Sequence, residues 1–249
     1  VIDNSMWAHA AAATDSVNFV YALNFSKPLA CFRARVKMMK RVSADPIFII
    51  DGEALSVKQQ TADSRRLARD KAYAEGLELF RQLTPQSSKD HKDRLKACAQ
   101  KAIKITREFI LALIDTVFRP EGVKYFIAPY EADVQMAMLV QTGLADTVVC
   151  ADADMLLHLR AVSVPYTWIR KVNWKSGTCT LYDVSRAVDG VSDESANSAF
   201  RAAVRVDKNV LVVTALASGC DYTEFRGIGI GKGKDIALEL FRANQVGDM

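Results

Sequence analysis

Residues 128–158 read "APYEADVQMAMLVQTGLADTVVCADADMLLH", and this stretch decides the fold. Residues 123–128, "VKYFIA", and 147–151, "TVVCA", are short runs rich in β-branched and aromatic side chains. Between them, residues 131–142 predict a helix that Gly143 closes as a C-cap. A strand, a helix and a strand at this spacing form a βαβ unit, which calls for a parallel sheet. Working outward, Val1-Ile2 and "PIFII" at 46–50 supply two more strands of the same kind. Helical patterns cover 15–42, 61–83 and 91–118, with a polar break at 84–90, "TPQSSKD". Residues 164–172 and 178–183, joined through "NWKSG", predict an antiparallel hairpin, and 210–217 predicts a helix leading into "SGCDY".

The chain has 249 residues, half of them apolar and a quarter charged, which suits a globular α/β protein with a sizeable core. Its longest apolar run, 109–118, contains Asp115 and is too short to span a membrane. The N-terminus lacks the basic-then-apolar pattern of a signal peptide, and the chain opens inside a strand, so it reads as a fragment. Five cysteines without a CxxC pair argue against a disulfide framework or a zinc site and read as buried thiols in a reducing compartment. Net charge is only +4, yet residues 58–107 hold 13 Lys and Arg against 6 Asp and Glu. Such a run is either a solvated helical face or the footprint of a polyanion.

Each strand is followed by acid: Asp3, then Asp51, then Glu131 and Asp133, then Asp152 and Asp154. Asp221 follows a further apolar run. Open parallel sheets place functional groups at the carboxyl ends of their strands, so these acids are expected on one edge. Two carboxylates about 4 Å apart repel by roughly 4 kcal/mol at an effective dielectric near 20. Protonation or a bound cation must relieve this. An all-oxygen donor set favours hard ions, Mg²⁺ or alternatively Mn²⁺, and two such ions about 3.5–4 Å apart can drive phosphodiester hydrolysis. Any single acid of this kind is more commonly a turn residue or helix cap; their recurrence at successive strand ends is what carries weight.

The 128–158 segment resembles the internal motif of the XPG superfamily of structure-specific 5′ nucleases. The opening "VIDNSMWAH" is similar to the end of that family's N-terminal motif, and "FIIDGEALSVKQQTADSRR" to its Asp-Gly strand end and arch entry. "GCDYTEFRGIGIGKGKDIALEL" resembles its last acid and helix-two-turn-helix. The "PYEAD" wording is nearer to the exonuclease 1 branch than to flap endonucleases. Ala151 stands where relatives often carry Glu, and the loop between Tyr222 and Gly227 is about one residue shorter than in that branch.

The resemblance implies a PIN-like, mostly parallel twisted sheet flanked by helices, as a single nuclease domain over 1–249. It implies a helical arch or cap at about 52–107 and a helix-two-turn-helix at about 219–249. Carried over position by position, the metal-site acids fall on Asp3, Asp51, Glu131, Asp133, Asp152, Asp154 and Asp221. Lys58 and Arg65 fall on the active-site cations that stabilise charge on the phosphate, with Asp152 and Asp154 beside them in catalysis. His9 takes the place of a ring that stacks near the substrate 5′ end, and Arg66 extends the basic arch entry. Gly227, Gly229, Lys232 and Lys234 would grip uncut duplex, with K⁺ bridging that motif to the DNA backbone. "GIGIGKGK" is not a nucleotide loop, because neither Lys232 nor Lys234 precedes Ser or Thr and Lys232 replaces the third glycine of GxGxxG.

The resulting expectation is a Mg²⁺-dependent 5′→3′ deoxyribonuclease with flap activity, using two metal ions on DNA with a double-stranded, nicked, recessed or flapped 5′ end. Monomeric state, nuclear location and contacts with repair or replication proteins are expected from the family, and no membrane partner is. A flap endonuclease proper, a catalytically inactive DNA-binding relative and a PIN-like RNA nuclease are the competing readings.

Overall fold

A computed structural model describes residues 1–41, 45–159, 162–174, 176, 178–183, 208–220 and 228–246. Contacts divide the chain into two compact units, Ile2–Ala132, and Val1 together with Asp133–Met249.

The unit Ile2–Ala132 is built on three parallel strands, β1 (Ile2–Asp3), β2 (Ile47–Ile50) and β3 (Lys124–Ile127). β2 lies between the other two, with Ile2 opposite Phe48, Asp3 opposite Ile49, and Ile50 opposite Ile127. Parallel strands require crossovers, and helices supply them. α1 (Asn4–Ala12), α2 (Ser16–Tyr21) and α3 (Ser26–Arg41) join β1 to β2. α4 (Gln59–Arg81), α5 (Lys89–Ala102), α6 (Arg107–Leu113) and the short α7 (Arg119–Glu121) lead on to β3, with one π-turn over Ile114–Phe118.

The core of this unit is aromatic. Trp7 of α1 packs on Phe32 of α3 and edge-on against Phe48 of β2, with ring centroids 5.8 and 5.2 Å apart. Phe118 stacks on Phe48 at 4.9 Å. All four side chains are buried, which anchors α1 and α3 to the sheet and fixes where β1 and β2 end. α2 ties in α4, since Tyr21 stacks on Phe80 with ring centroids 5.3 Å apart.

One helix and two breaks depart from the sequence expectation. α1 has no strong periodicity to announce it, yet both oxygens of Asp3 cap its first turn. The helix expected over 15–42 is interrupted at 22–25, where Leu23 takes the left-handed region (φ 51°) and Asn24 Oδ1 accepts the Ser26 amide to start α3. The helix expected over 91–118 stops at Ala102 and restarts at Arg107, where Thr106 Oγ1 accepts the Phe109 amide at 3.4 Å. The polar break is where expected: α4 ends at Arg81, and Ser88 caps α5.

In the second unit, β4 (Thr147–Val149) pairs parallel with β5 (Thr167–Asn173), and β5 pairs antiparallel with β6 (Thr178–Asp183) in the expected hairpin. Val1 belongs to this unit, since its carbonyl accepts the Val149 amide. α8 (Ala132–Gln141) ends at Gly143 in the left-handed region (φ 73°), as the C-cap reading requires. α9 (Met155–Leu159) follows the Asp152–Asp154 turn. α10 (Lys208–Ser218) and α11 (Ile230–Val246) pack together closely at Gly233, where an added Cβ would sit 2.2 Å from Ser218 Oγ and 2.9 Å from the Thr214 carbonyl oxygen. No helix among the described residues is long and apolar enough to cross a membrane. The expected α/β class, with mostly parallel strands flanked by helices, is what the chain adopts.

Candidate active site

In the first unit the parallel strands deliver Asp3, Asp51 and Glu131 to one edge. Asp3 ends β1, Asp51 directly follows β2, and Glu131 follows β3 by four residues. The loops leaving β2 and β3 are clamped main chain to main chain. Gly52 donates to the Tyr130 carbonyl at 2.6 Å and Glu53 to the Pro129 carbonyl at 3.1 Å. A Cβ on Gly52 would lie 1.9 Å from the Ala128 carbonyl oxygen, so this approach excludes every side chain.

Each of these three carboxylates is met by a protein donor. Asp3 Oδ1 accepts the Ser5 amide at 2.8 Å at the start of α1, where the helix dipole favours negative charge. Asp51 Oδ2 accepts the Ser5 hydroxyl at 2.6 Å, and Asp51 Oδ1 accepts the Ala132 amide at 2.9 Å. Lys58 Nζ lies 2.6 Å from Glu131 Oε1. Those two side chains are only 21% and 19% exposed, so water screens them less than it does a surface ion pair. Arg65 is exposed on α4, and Arg66 pairs with Asp63 at 2.9 Å. His9 is exposed on α1, yet its pKa is lowered, first because surrounding protein strips water from the ring and second because the Arg69 charge opposes another cation.

The second unit carries the remaining described acids. Asp133 lies in the first turn of α8, and its Oδ1 accepts the Cys150 thiol at 3.6 Å. Asp152 Oδ1 accepts the Asp154 amide at 3.0 Å, shaping the turn before α9. Cys150 is fully buried, and its carbonyl accepts the Trp168 indole N–H at 3.0 Å. That bond fixes the strand end from which Asp152 emerges. Gly229 and Lys232 are exposed and Lys234 is half-buried. Asp221 and Gly227 lie outside the described residues.

Among the described residues no group of three or more His, Cys, Asp or Glu side chains is arranged to hold a metal ion. In the first unit Asp3, Asp51 and Glu131 are each held by the donors just named. The donor chemistry fits a hard divalent cation, because these acids offer oxygen alone. The edge also already recruits positive charge, since Lys58 is drawn onto Glu131. Ser5 and Cys150 escape a reading of sequence: a lone hydroxyl or thiol near a strand-end acid carries no periodic or spacing signal.

Comparison with known proteins gives two family matches, the XPG N-terminal domain over residues 1–72 and the XPG I-region over residues 122–221. Exodeoxyribonuclease 1 of Saccharomyces cerevisiae is 28% identical over 156 residues, 63% of this chain and 21% of that protein. Exodeoxyribonuclease 1 of Schizosaccharomyces pombe is 25% identical over 232 residues, 92% of this chain and 36% of that protein. The chain thus spans between a fifth and about a third of these curated relatives' length. Among solved structures, the catalytic core of Rad2 in complex with DNA substrate superposes with a TM-score of 0.61 at 18% identity, covering 96% of this chain and 59% of that one. Human GEN1 in complex with Holliday junction DNA gives a TM-score of 0.57 at 17% identity, covering 97% and 49%. At those identities the likeness establishes the fold.

Proposed function

We propose, from the premise that this chain belongs to the XPG family by carrying both its N-terminal domain and its I-region, that it is a divalent-metal-dependent 5′→3′ deoxyribonuclease of the exonuclease 1 kind with flap activity. The observation that carries the reading is the Asp3–Asp51–Glu131 edge with Lys58 on Glu131. Distant homology to exonuclease 1 and GEN1 crystallised with Mg²⁺ and product DNA support it.

The acids Asp3, Asp51, Glu131, Asp133, Asp152, Asp154 and Asp221 would hold two Mg²⁺ ions, Mn²⁺ substituting. Bound there, the ions supply a water lowered in pKa and positive charge at the phosphate. The chain's own residues do the rest. Lys58, once released from Glu131, places a point charge by the phosphate as its oxygens gain charge, and Arg65 offers a planar fork able to clamp two oxygens. His9 stays neutral at physiological pH and presents a flat ring for stacking on a base. The cation excess of residues 58–107, with Arg66 at the arch entry, holds the single-stranded 5′ end. Gly229, Lys232 and Lys234, with Gly227, grip the duplex backbone, where K⁺ would assist.

The test is cleavage of 5′-labelled blunt, recessed and flapped duplexes in Mg²⁺, Ca²⁺ or EDTA, alongside Asp152→Ala. The expected result is product that depends on Mg²⁺ and disappears in the variant. Equal cleavage in EDTA eliminates the metal mechanism. Cleavage confined to flapped substrates reassigns the chain to flap endonuclease activity.

A further inference from the structure

Ser5 lies within the "VIDNSMWAH" stretch but has no role assigned there, yet it touches two of the strand-end acids at once. Its amide donates to Asp3 Oδ1 at 2.8 Å and its hydroxyl to Asp51 Oδ2 at 2.6 Å. The second contact joins residues 46 positions apart, the start of α1 and the end of β2. The other Asp51 oxygen is already fixed by the Ala132 amide at 2.9 Å, so the hydroxyl is the side-chain half of a two-point grip on that carboxylate. Asp51 is exposed, and the Ser5 hydroxyl and the Ala132 amide hold its carboxylate from both oxygens. A 2.6 Å O–H···O⁻ contact is of the strong, charge-assisted kind.

We propose that Ser5 is a positioning residue for divalent-cation binding: its hydroxyl orients Asp51 against Asp3, so that both present oxygens to one ion. This rests on the nuclease reading above. Its physical basis is that partners which orient a ligand from behind commonly change metal affinity by about 10–100-fold. The hydroxyl donates to one lone pair of Oδ2 and leaves others available. It therefore fixes the carboxylate without competing for the ion as a cationic side chain would.

The experiment is Mn²⁺ binding to the whole chain without DNA, followed by the electron paramagnetic resonance signal of free Mn²⁺, beside Mg²⁺-dependent cleavage. Ser5→Ala is expected to bind Mn²⁺ about tenfold more weakly, and Ser5→Thr, which keeps the hydroxyl, to restore most of that. In an Asp51→Asn background, adding Ser5→Ala is expected to change Mn²⁺ affinity by less than about twofold, because the carboxylate it serves is gone. Ser5→Cys keeps the volume while weakening the donor, and carries the expectation of Ser5→Ala should that variant not fold. Unchanged affinity in Ser5→Ala, or an equal loss with and without Asp51, overturns the proposal while wild-type cleavage leaves the nuclease reading standing. A wild-type chain that neither binds Mn²⁺ nor cuts DNA sinks the nuclease reading and this proposal with it.

Discussion

The two units meet the same electrostatic difficulty with different chemistry. Ile2–Ala132 supplies donors from distant points in the chain: a serine hydroxyl and a helix amide for Asp51, and a lysine for Glu131. In the second unit a backbone turn holds Asp152 and a thiol meets Asp133. A thiol is a weaker donor than a hydroxyl or an ammonium. The first unit thus meets its strand-end acids with a hydroxyl, an amide and an ammonium, whereas the second meets Asp133 with a thiol and Asp152 with a turn amide. Acids of the same type, placed by the same strand-end rule, need not contribute equally to ion affinity.

The most severe way to break this contrast is to remove one acid from each side. Asp51→Asn and Asp152→Asn should each slow Mg²⁺-dependent cleavage on the order of 10²–10³-fold in single-turnover assays. If either is nearly silent, that unit contributes scaffold and no chemistry. Gly52→Ala should follow at about 10²-fold, because a Cβ 1.9 Å from the Ala128 carbonyl oxygen forces apart the loops that carry Asp51 and Glu131. Circular dichroism of that variant should retain the helical signal of wild type. Lys58→Ala sharpens the contrast through its sign. Cleavage should fall roughly tenfold or more, yet Mn²⁺ affinity should rise, since Glu131 loses a competing cation. Weaker Mn²⁺ binding in Lys58→Ala would show that the lysine shapes the acid edge and does not compete for it.

Smaller effects belong to the surface. Arg66→Ala should weaken DNA binding less than tenfold and reduce the slope of log affinity against log salt by about one, as measured by fluorescence anisotropy. His9 should show the smallest change. Its folded pKa lies below the ordinary value, so the folded state holds fewer protons than the unfolded chain in the window between the two. Its contribution to stability is present above the unfolded pKa and is lost as pH falls through the folded one. An NMR titration should place His9 below free histidine, and Arg69→Ala should move it upward.

Much of this was legible in the sequence, for identifiable reasons. An apolar run that ends in Asp or Glu states both a strand and where its functional edge lies, so Asp3, Asp51 and Asp152 could be placed before any coordinates. Gly143 and the 178–183 strand carried local signals of comparable strength. The breaks at 22–25 and 103–106 were hidden because their causes, Asn24 and Thr106, are single side chains inside helix-compatible stretches. β3 misleads in another way: its apolar "YFI" suggests burial, yet Phe126 and Ile127 are 45% and 56% exposed. Long-range pairing was beyond reach, since nothing in the spacing says that Lys58 meets Glu131 or that Ser5 meets Asp51.

The contact between Gly52 and the 128–130 main chain carries a practical consequence. Because peptide groups alone make that seam, the gap between the second and third strand exits is blind to the side chains of Glu53, Pro129 and Tyr130. Those three positions form a rewritable rim around a fixed span. On the proposed nuclease reading, a protein engineer could vary them to alter which nucleic-acid shapes are admitted, while the spacing of the acids behind them stays as the backbone set it.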